Sequence, residues 1–264
     1  MISTSSSVSV ALGSWRHQLR IEVDEGSVAT VVAERLHKAL ERGGVLGLAT
    51  GRTMEPVYAS LRSRLCALPA PERAAVRARW RSFNLDEYVG LGPQQRESFA
   101  AFMHAQLGRP LGLDSRCLQL PDGQAADPEL EAQRYATVLQ SAGGLQLQLL
   151  GLGSNGHVGF NEPPCSAVAP CRCVELTSAT RLQNAVAFGG DPAAVPARAI
   201  TLGMAEILAA RQLLLVVTGA AKAEILRRAL LEPPCPEVPA SWLQRHPCLE
   251  IVVDQAAAAL LEIS

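Results

Sequence analysis

One stretch constrains this chain more than any other: Leu147-Gln-Leu-Leu-Gly-Leu-Gly-Ser-Asn-Gly-His157-Val-Gly-Phe-Asn-Glu162-Pro. The apolar residues Leu145–Leu150 read as a short buried strand, and a burst of glycines then lets the backbone turn tightly and approach a ligand. Polar and titratable residues crowd the turn: Ser154, Asn155, His157, Asn161 and Glu162. That is the composition of a catalytic loop at a strand's end, not of a packing element. Gly151, Gly153 and Gly156 also satisfy G-x-G-x-x-G, but the dinucleotide fingerprint needs the third glycine to open a helix. Here Pro163-Pro164 follows too soon for one, which argues against a nucleotide cofactor.

The strand–loop–helix order recurs along the chain. His17–Val23, Val45–Ala49, Trp80–Leu85, Leu213–Val217 and His246–Val253 read as strands. Between them the apolar spacing predicts helices over 27–42, 55–65, 98–107, 128–141 and 222–231, with a closing helix over 255–263. His37 falls on the polar face of the first of these and is expected in solvent. Alternating strands and helices imply an α/β fold: one domain over 16–264, a mainly parallel Rossmann-like sheet with helices on both faces, after a flexible tail over 1–15. Loops that leave the carboxyl ends of such strands gather at one edge, where open α/β sheets bind ligands.

Three of these loops carry candidate chemistry. Thr50-Gly51-Arg52-Thr53 joins a strand to a helix, either as a plain turn or as a phosphate cradle of backbone N–H groups, hydroxyls and a helix N-terminus. Asn84-Leu-Asp86-Glu87-Tyr88 puts two adjacent carboxylates at a strand end. Lys222 opens a helix, where a cation opposes the macrodipole. The chain has twenty-two arginines and only two lysines, so a lysine set there at local cost points to an anion.

Composition removes other classes. At 264 residues, 48% hydrophobic and with net charge −1, the chain gives no case for nucleic acid or an anionic membrane as partner. No run approaches the roughly 18 apolar residues of a span. Seven cysteines without a C-x-x-C pair fit reduced thiols in the cytoplasm better than a zinc site or a disulfide framework.

Four segments, GLATGRT, FNLDEYVGL, LGLGSNGHVGFNEP and HPCLEIVVDQAA, resemble the glucosamine-6-phosphate deaminase (isomerising) family over about residues 20–262. The resemblance implies conversion of D-glucosamine 6-phosphate and water to D-fructose 6-phosphate and ammonia, with no metal or organic cofactor. It implies Asp86 as the base at C2, His157 with Glu162 and Asn155 as the ring-opening group, and Arg181, Lys222 and the Thr50–Thr53 loop as the phosphate site. Glu87 and Gly156 join the substrate-binding set. Asn155 stands where the allosteric members carry aspartate, Arg52 replaces a small residue, and Cys165 and Val174 replace a serine and a lysine of the effector site. Asn155 can orient His157 but cannot ionise, and Arg52 either crowds the substrate or grips it; the Cys165 and Val174 changes imply loss of effector control and a monomer or small homo-oligomer. The alternatives are a lactonase or isomerase on another sugar phosphate, and a sugar-phosphate sensor without catalysis.

Overall fold

The computed structural model describes residues 9–11 and 18–261. In chain order the elements begin with β1 (Ser9–Ala11), β2 (Gln18–Glu22), α1 (Glu25–Glu41), β3 (Leu46–Leu48), α2 (Met54–Cys66), α3 (Ala70–Arg79), β4 (Ser82–Asn84) and β5 (Asp86–Tyr88). Next come α4 (Phe99–Met103), a π-helical turn over His104–Gly108, α5 (Arg109–Leu111), β6 (Leu118–Gln119), α6 (Pro128–Ser141) and β7 (Leu147–Gly151). The last third holds β8 (Arg172–Glu175), α7 (Ser178–Asn184), β9 (Arg198–Thr201), α8 (Met204–Leu208), β10 (Leu213–Val217), α9 (Ala223–Leu231) and β11 (Leu249–Asp254).

The main sheet has the order β1-β2-β11-β10-β7-β3-β4-β6. Seven of its strands, β2 to β6 in that order, are parallel, with β1 antiparallel on the edge. Of the expected 1–15 tail, residues 9–11 form that edge strand, and residues 1–8 and 12–15 lie outside the described residues. All five residues of β10 are buried, which is why its sequence is an unbroken apolar run: a central parallel strand is covered on both faces. From β3 the chain winds one way through β4 and β6. From β7 it winds the other way through β10 and β11. The switch point therefore lies between β3 and β7, where a crevice opens beyond the strand ends.

Helix α1 starts where Asp24 accepts the N–H of Ser27 at 2.8 Å, a cap worth about 1 kcal/mol. Its buried stripe is wider than the expected one. His37, expected in solvent, is 9% exposed, because α1 is covered by α2 as well as by the sheet.

A second sheet was not legible in the sequence. Strands β5, β9 and β8 form an antiparallel sheet of three, with Asp86 opposite Thr201 and Thr201 opposite Arg172. Leu85 is the joint between the sheets: its N–H donates to Leu48 O at 2.9 Å and its carbonyl accepts Leu202 N at 2.7 Å. Beneath the small sheet lies a separate apolar cluster of Tyr88, Phe160, Leu176, Ala185, Val195 and Ala199. The expected closing helix does not form over 255–261, which is a run of turns. Asp254 accepts Ala257 N at 2.7 Å and Gly219 N at 2.9 Å, so the strand end is capped into a turn tied to the neighbouring loop.

Candidate active site

The loops after β3, β7 and β10 meet at the switch point. After β3, the N–H groups of Thr50, Gly51, Arg52 and Thr53 make no hydrogen bond among the described residues, and the first bond of the turn runs from Met54 N to Gly51 O at 2.9 Å. After β10, Lys222 closes a short 3-10 turn over Ala220–Lys222 and stands at the N-cap of α9, slightly ahead of the expected first helical turn. Burial, and after it the charge of Arg52, hold the Lys222 ammonium below the ordinary lysine range. Neither cation has a hydrogen-bonded or ion-paired partner among the described residues. Two like charges without an acid partner among the described residues, beside open N–H groups and a helix start, are the kind of donors that a doubly charged anion requires.

The β7 loop fixes His157. Asn155 Oδ1 accepts the backbone N–H of His157 at 3.2 Å and lies 2.6 Å from its Nδ1. The backbone donor identifies that atom of Asn155 as the oxygen, and an amide oxygen only accepts, so Nδ1 carries the proton and Nε2 keeps a lone pair. Burial pushes the imidazole down to about 4, with the Glu162 charge pulling it up and the Lys222 charge pushing it down further. His157 is therefore neutral near pH 7 and can take a proton at Nε2. Gly153 is required under the ring: a Cβ there would stand 2.3 Å from three of its atoms.

Asp86 is 5% exposed, and its carboxylate makes no hydrogen bond among the described residues. Burial, then the adjacent Glu87 charge, raises its carboxyl to about 8. Its Oδ2 faces the His157 loop at Gly159, where an added Cβ would sit 3.3 Å from Oδ2 and 3.1 Å from Thr201 Oγ1. Gly159 has φ +58°, a conformation that an L side chain adopts at a cost. The missing side chain thus lets the base strand and the imidazole loop close on one another. Thr201 Oγ1 fastens the contact by accepting Phe160 N at 3.2 Å.

Three residues of the expected site are bonded to other parts of the chain. Glu87, expected on the substrate, faces away: its oxygens accept the N–H groups of Tyr88 (2.9 Å), Phe99 (3.0 Å) and Ala100 (2.7 Å), capping α4. Alternation along β5 makes this unavoidable, since neighbours in a strand point to opposite faces. Glu162, expected to orient His157, makes no hydrogen bond to it. Instead it accepts the Thr177 N–H at 3.0 Å and the Thr177 and Thr180 hydroxyls, which ties the loop to α7. Arg181, expected on the phosphate, donates to the carbonyls of Val195 and Ala193, both at 3.1 Å, and so braces the loop before β9. Gly156 keeps its place in the loop, its N–H donating to Gly153 O at 3.1 Å and its carbonyl accepting Ala240 N at 2.8 Å. Thr201 carries no sequence signal of its own and was missed; only the pairing of β9 with β5 brings it to Asp86.

Residues 25–252 match the family described as glucosamine-6-phosphate isomerases/6-phosphogluconolactonase. The chain belongs to that family. A glucosamine-6-phosphate deaminase of Rhodopirellula baltica is 40% identical over 247 residues, covering 93% of this chain and 96% of the relative. One of Streptomyces coelicolor is 40% identical over 236 residues, covering 89% and 88%. Among solved structures, a monomeric glucosamine-6-phosphate deaminase superposes with TM-score 0.84 at 31% identity, over 92% of this chain and 99% of that one. A Trypanosoma cruzi 6-phosphogluconolactonase superposes with TM-score 0.73 at 18% identity, over 98% and 100%, and shares the fold. Within this family the main sheet is mostly parallel with helices around it, as in the deaminase structure. No helix among the described residues is long and apolar enough to cross a membrane.

Proposed function

We propose that this protein deaminates D-glucosamine 6-phosphate, coupling an aldose–ketose isomerisation to loss of the amine and releasing D-fructose 6-phosphate and ammonia, as a cytoplasmic enzyme of amino-sugar breakdown. The observation that carries the reading is a buried, unbonded Asp86 carboxylate that faces the His157 loop at Gly159, with a neutral His157 imidazole on that same loop near Lys222, which in turn feels the Arg52 charge. Relatives at 40% identity that bear the deaminase name support it.

The phosphate is held by Arg52, Lys222 and the N–H groups of the Thr50–Thr53 loop, with the two threonine hydroxyls as further donors. Anchoring the far end of the sugar makes proton transfer at its reacting carbons effectively unimolecular. His157 accepts the anomeric hydroxyl proton at Nε2 and returns it to the ring oxygen, opening the ring. Asp86, as carboxylate, removes the C2 proton to give an enolamine. Protonation at C1 yields a ketimine at C2, and water adds to it and expels ammonia. A carboxylate with raised proton affinity suits the abstraction, because carbon acids are weak and a stronger base lowers the barrier. Asn155 keeps the imidazole in the useful tautomer, and Glu162 supplies a fixed negative charge nearby. The enzyme works as a monomer or small oligomer.

Ammonia release from glucosamine 6-phosphate by the purified chain tests the reading, run beside 6-phosphogluconolactone hydrolysis. Turnover of the lactone without deamination overturns it, as does tight binding of the amino sugar with no product.

A further inference from the structure

Asp86 and Glu87 are neighbours in sequence, both buried, and wholly different in surroundings. Asp86 has no hydrogen-bonded partner among the described residues, whereas both oxygens of Glu87 are taken by three backbone donors. Those donors require an acceptor, so the charge of the pair settles first on Glu87. Two of them, Phe99 and Ala100, open the helix that runs on through the π-helical turn to Leu111, so Glu87 also pins β5 to that helix. Phe99 in turn packs on Tyr88 at 4.7 Å and Phe160 at 5.9 Å between ring centroids, joining the pin to the aromatic cluster beside the His157 loop.

We propose that Glu87 is a positioning residue for the base: it touches no substrate, but anchors strand β5 to α4 and holds a buried negative charge beside Asp86, so that Asp86 grips the abstracted proton more firmly. The other titratable groups near the pair do not supply this charge. Tyr88 and Tyr135 are buried and raised above the ordinary tyrosine range, foremost by burial, and so stay neutral. Arg96, His104, Arg109 and Asp122 line the groove that Glu87 borders, and all are solvent-exposed. Burial raises Glu87 to about 7 against the pull of its three donors, whereas Asp86, with no such donor on its carboxylate, is raised to about 8.

The inference rests on Asp86 as the base of the proposed reaction, so its test is read first without substrate. In the full chain carrying carboxyl-labelled aspartate, the Asp86 resonance is titrated by NMR in the wild type, Glu87→Gln and Glu87→Asp. Glu87→Gln is expected to make Asp86 at least tenfold more acidic, and Glu87→Asp to leave it near the wild-type midpoint. The acid limb of ammonia release should move by the same amount in Glu87→Gln, with KM within twofold. An unmoved Asp86 midpoint in folded Glu87→Gln overturns the proposal. If Glu87→Gln does not fold, the wild-type titration decides alone: the Asp86 resonance must inflect as Glu87 ionises, and a single independent step overturns it. A shifted midpoint in a protein that never deaminates would instead refute the deaminase reading and leave the coupling standing.

Discussion

The two sheets divide the work of this molecule. The parallel sheet ends in loops whose free N–H groups and two cations form the anion site of the proposed reaction, while the small antiparallel sheet holds Asp86, its proposed base. The parallel sheet is built from apolar strands buried on both faces, each contributing roughly 1.5–3 kcal/mol per large aliphatic side chain, so it is rigid and cheap to specify. The small sheet keeps an acid out of water with no hydrogen-bonded partner, which costs stability and raises proton affinity together. Binding and reactivity are thus assigned to frames with opposite energetics, and they touch at Gly159.

The sharpest way to break that division is Asp86→Asn, which should lower kcat by about 10³-fold or more with KM within a few-fold, since the base is lost and the anion site is untouched. The same change should stabilise the fold in alkali. Asp86 rises from an ordinary value of 3.8 to about 8 on folding, so the folded protein binds a proton that the unfolded chain releases. Stability from this group is therefore present below about pH 4 and lost as the pH climbs through about 8, and an amide removes the loss. Thermal melts at pH 9 should show Asp86→Asn melting a few degrees higher than wild type, and equal or lower melting contradicts the burial argument.

A smaller effect is expected from the other frame. Lys222→Ala should raise KM by about 10–100-fold, in keeping with loss of one charge-assisted contact, and lower kcat less than it raises KM. Steady-state kinetics that show the reverse, a collapse of kcat at unchanged KM, would mean that the lysine reacts and does not merely hold. The smallest effect should come from Asn155→Asp. A carboxylate at that position keeps the hydrogen bond to Nδ1 but adds a charge, so the imidazole should titrate above its value of about 4, with kcat within about tenfold of wild type. Imidazole resonances followed against pH decide it, and an unmoved His157 titration would show that Asn155 is not its partner in solution.

Read along the chain, the parallel sheet was visible nearly strand by strand, because apolar runs such as Leu213–Val217 can only be buried and glycine bursts can only be turns. The strand that carries Asp86 was not. Asp86-Glu87-Tyr88 is three residues long and opens with two residue types depleted in strands, so it reads as loop; its pairing with β9 comes from residues more than a hundred positions away. His157 stood out from its glycines with Asn155 and Glu162 both named beside it; the structure puts Asn155 on the ring because a tight turn brings its amide within 2.6 Å, and it bonds Glu162 to Thr177 and Thr180 instead.

What the sequence determined by itself was the α/β class, the loops that carry chemistry and the family to which they belong, since periodicity, glycine placement and motif spacing are local properties. Only the tertiary structure decided which face each carboxylate presents and which cations stand together. It turned Glu87 to a helix, Glu162 to two threonines and Arg181 to a loop, and left the side chains of Asp86 and Lys222 without hydrogen-bonded partners among the described residues. Side-chain partnership depends on distances across strands that only packing fixes, and no spacing along the chain encodes it.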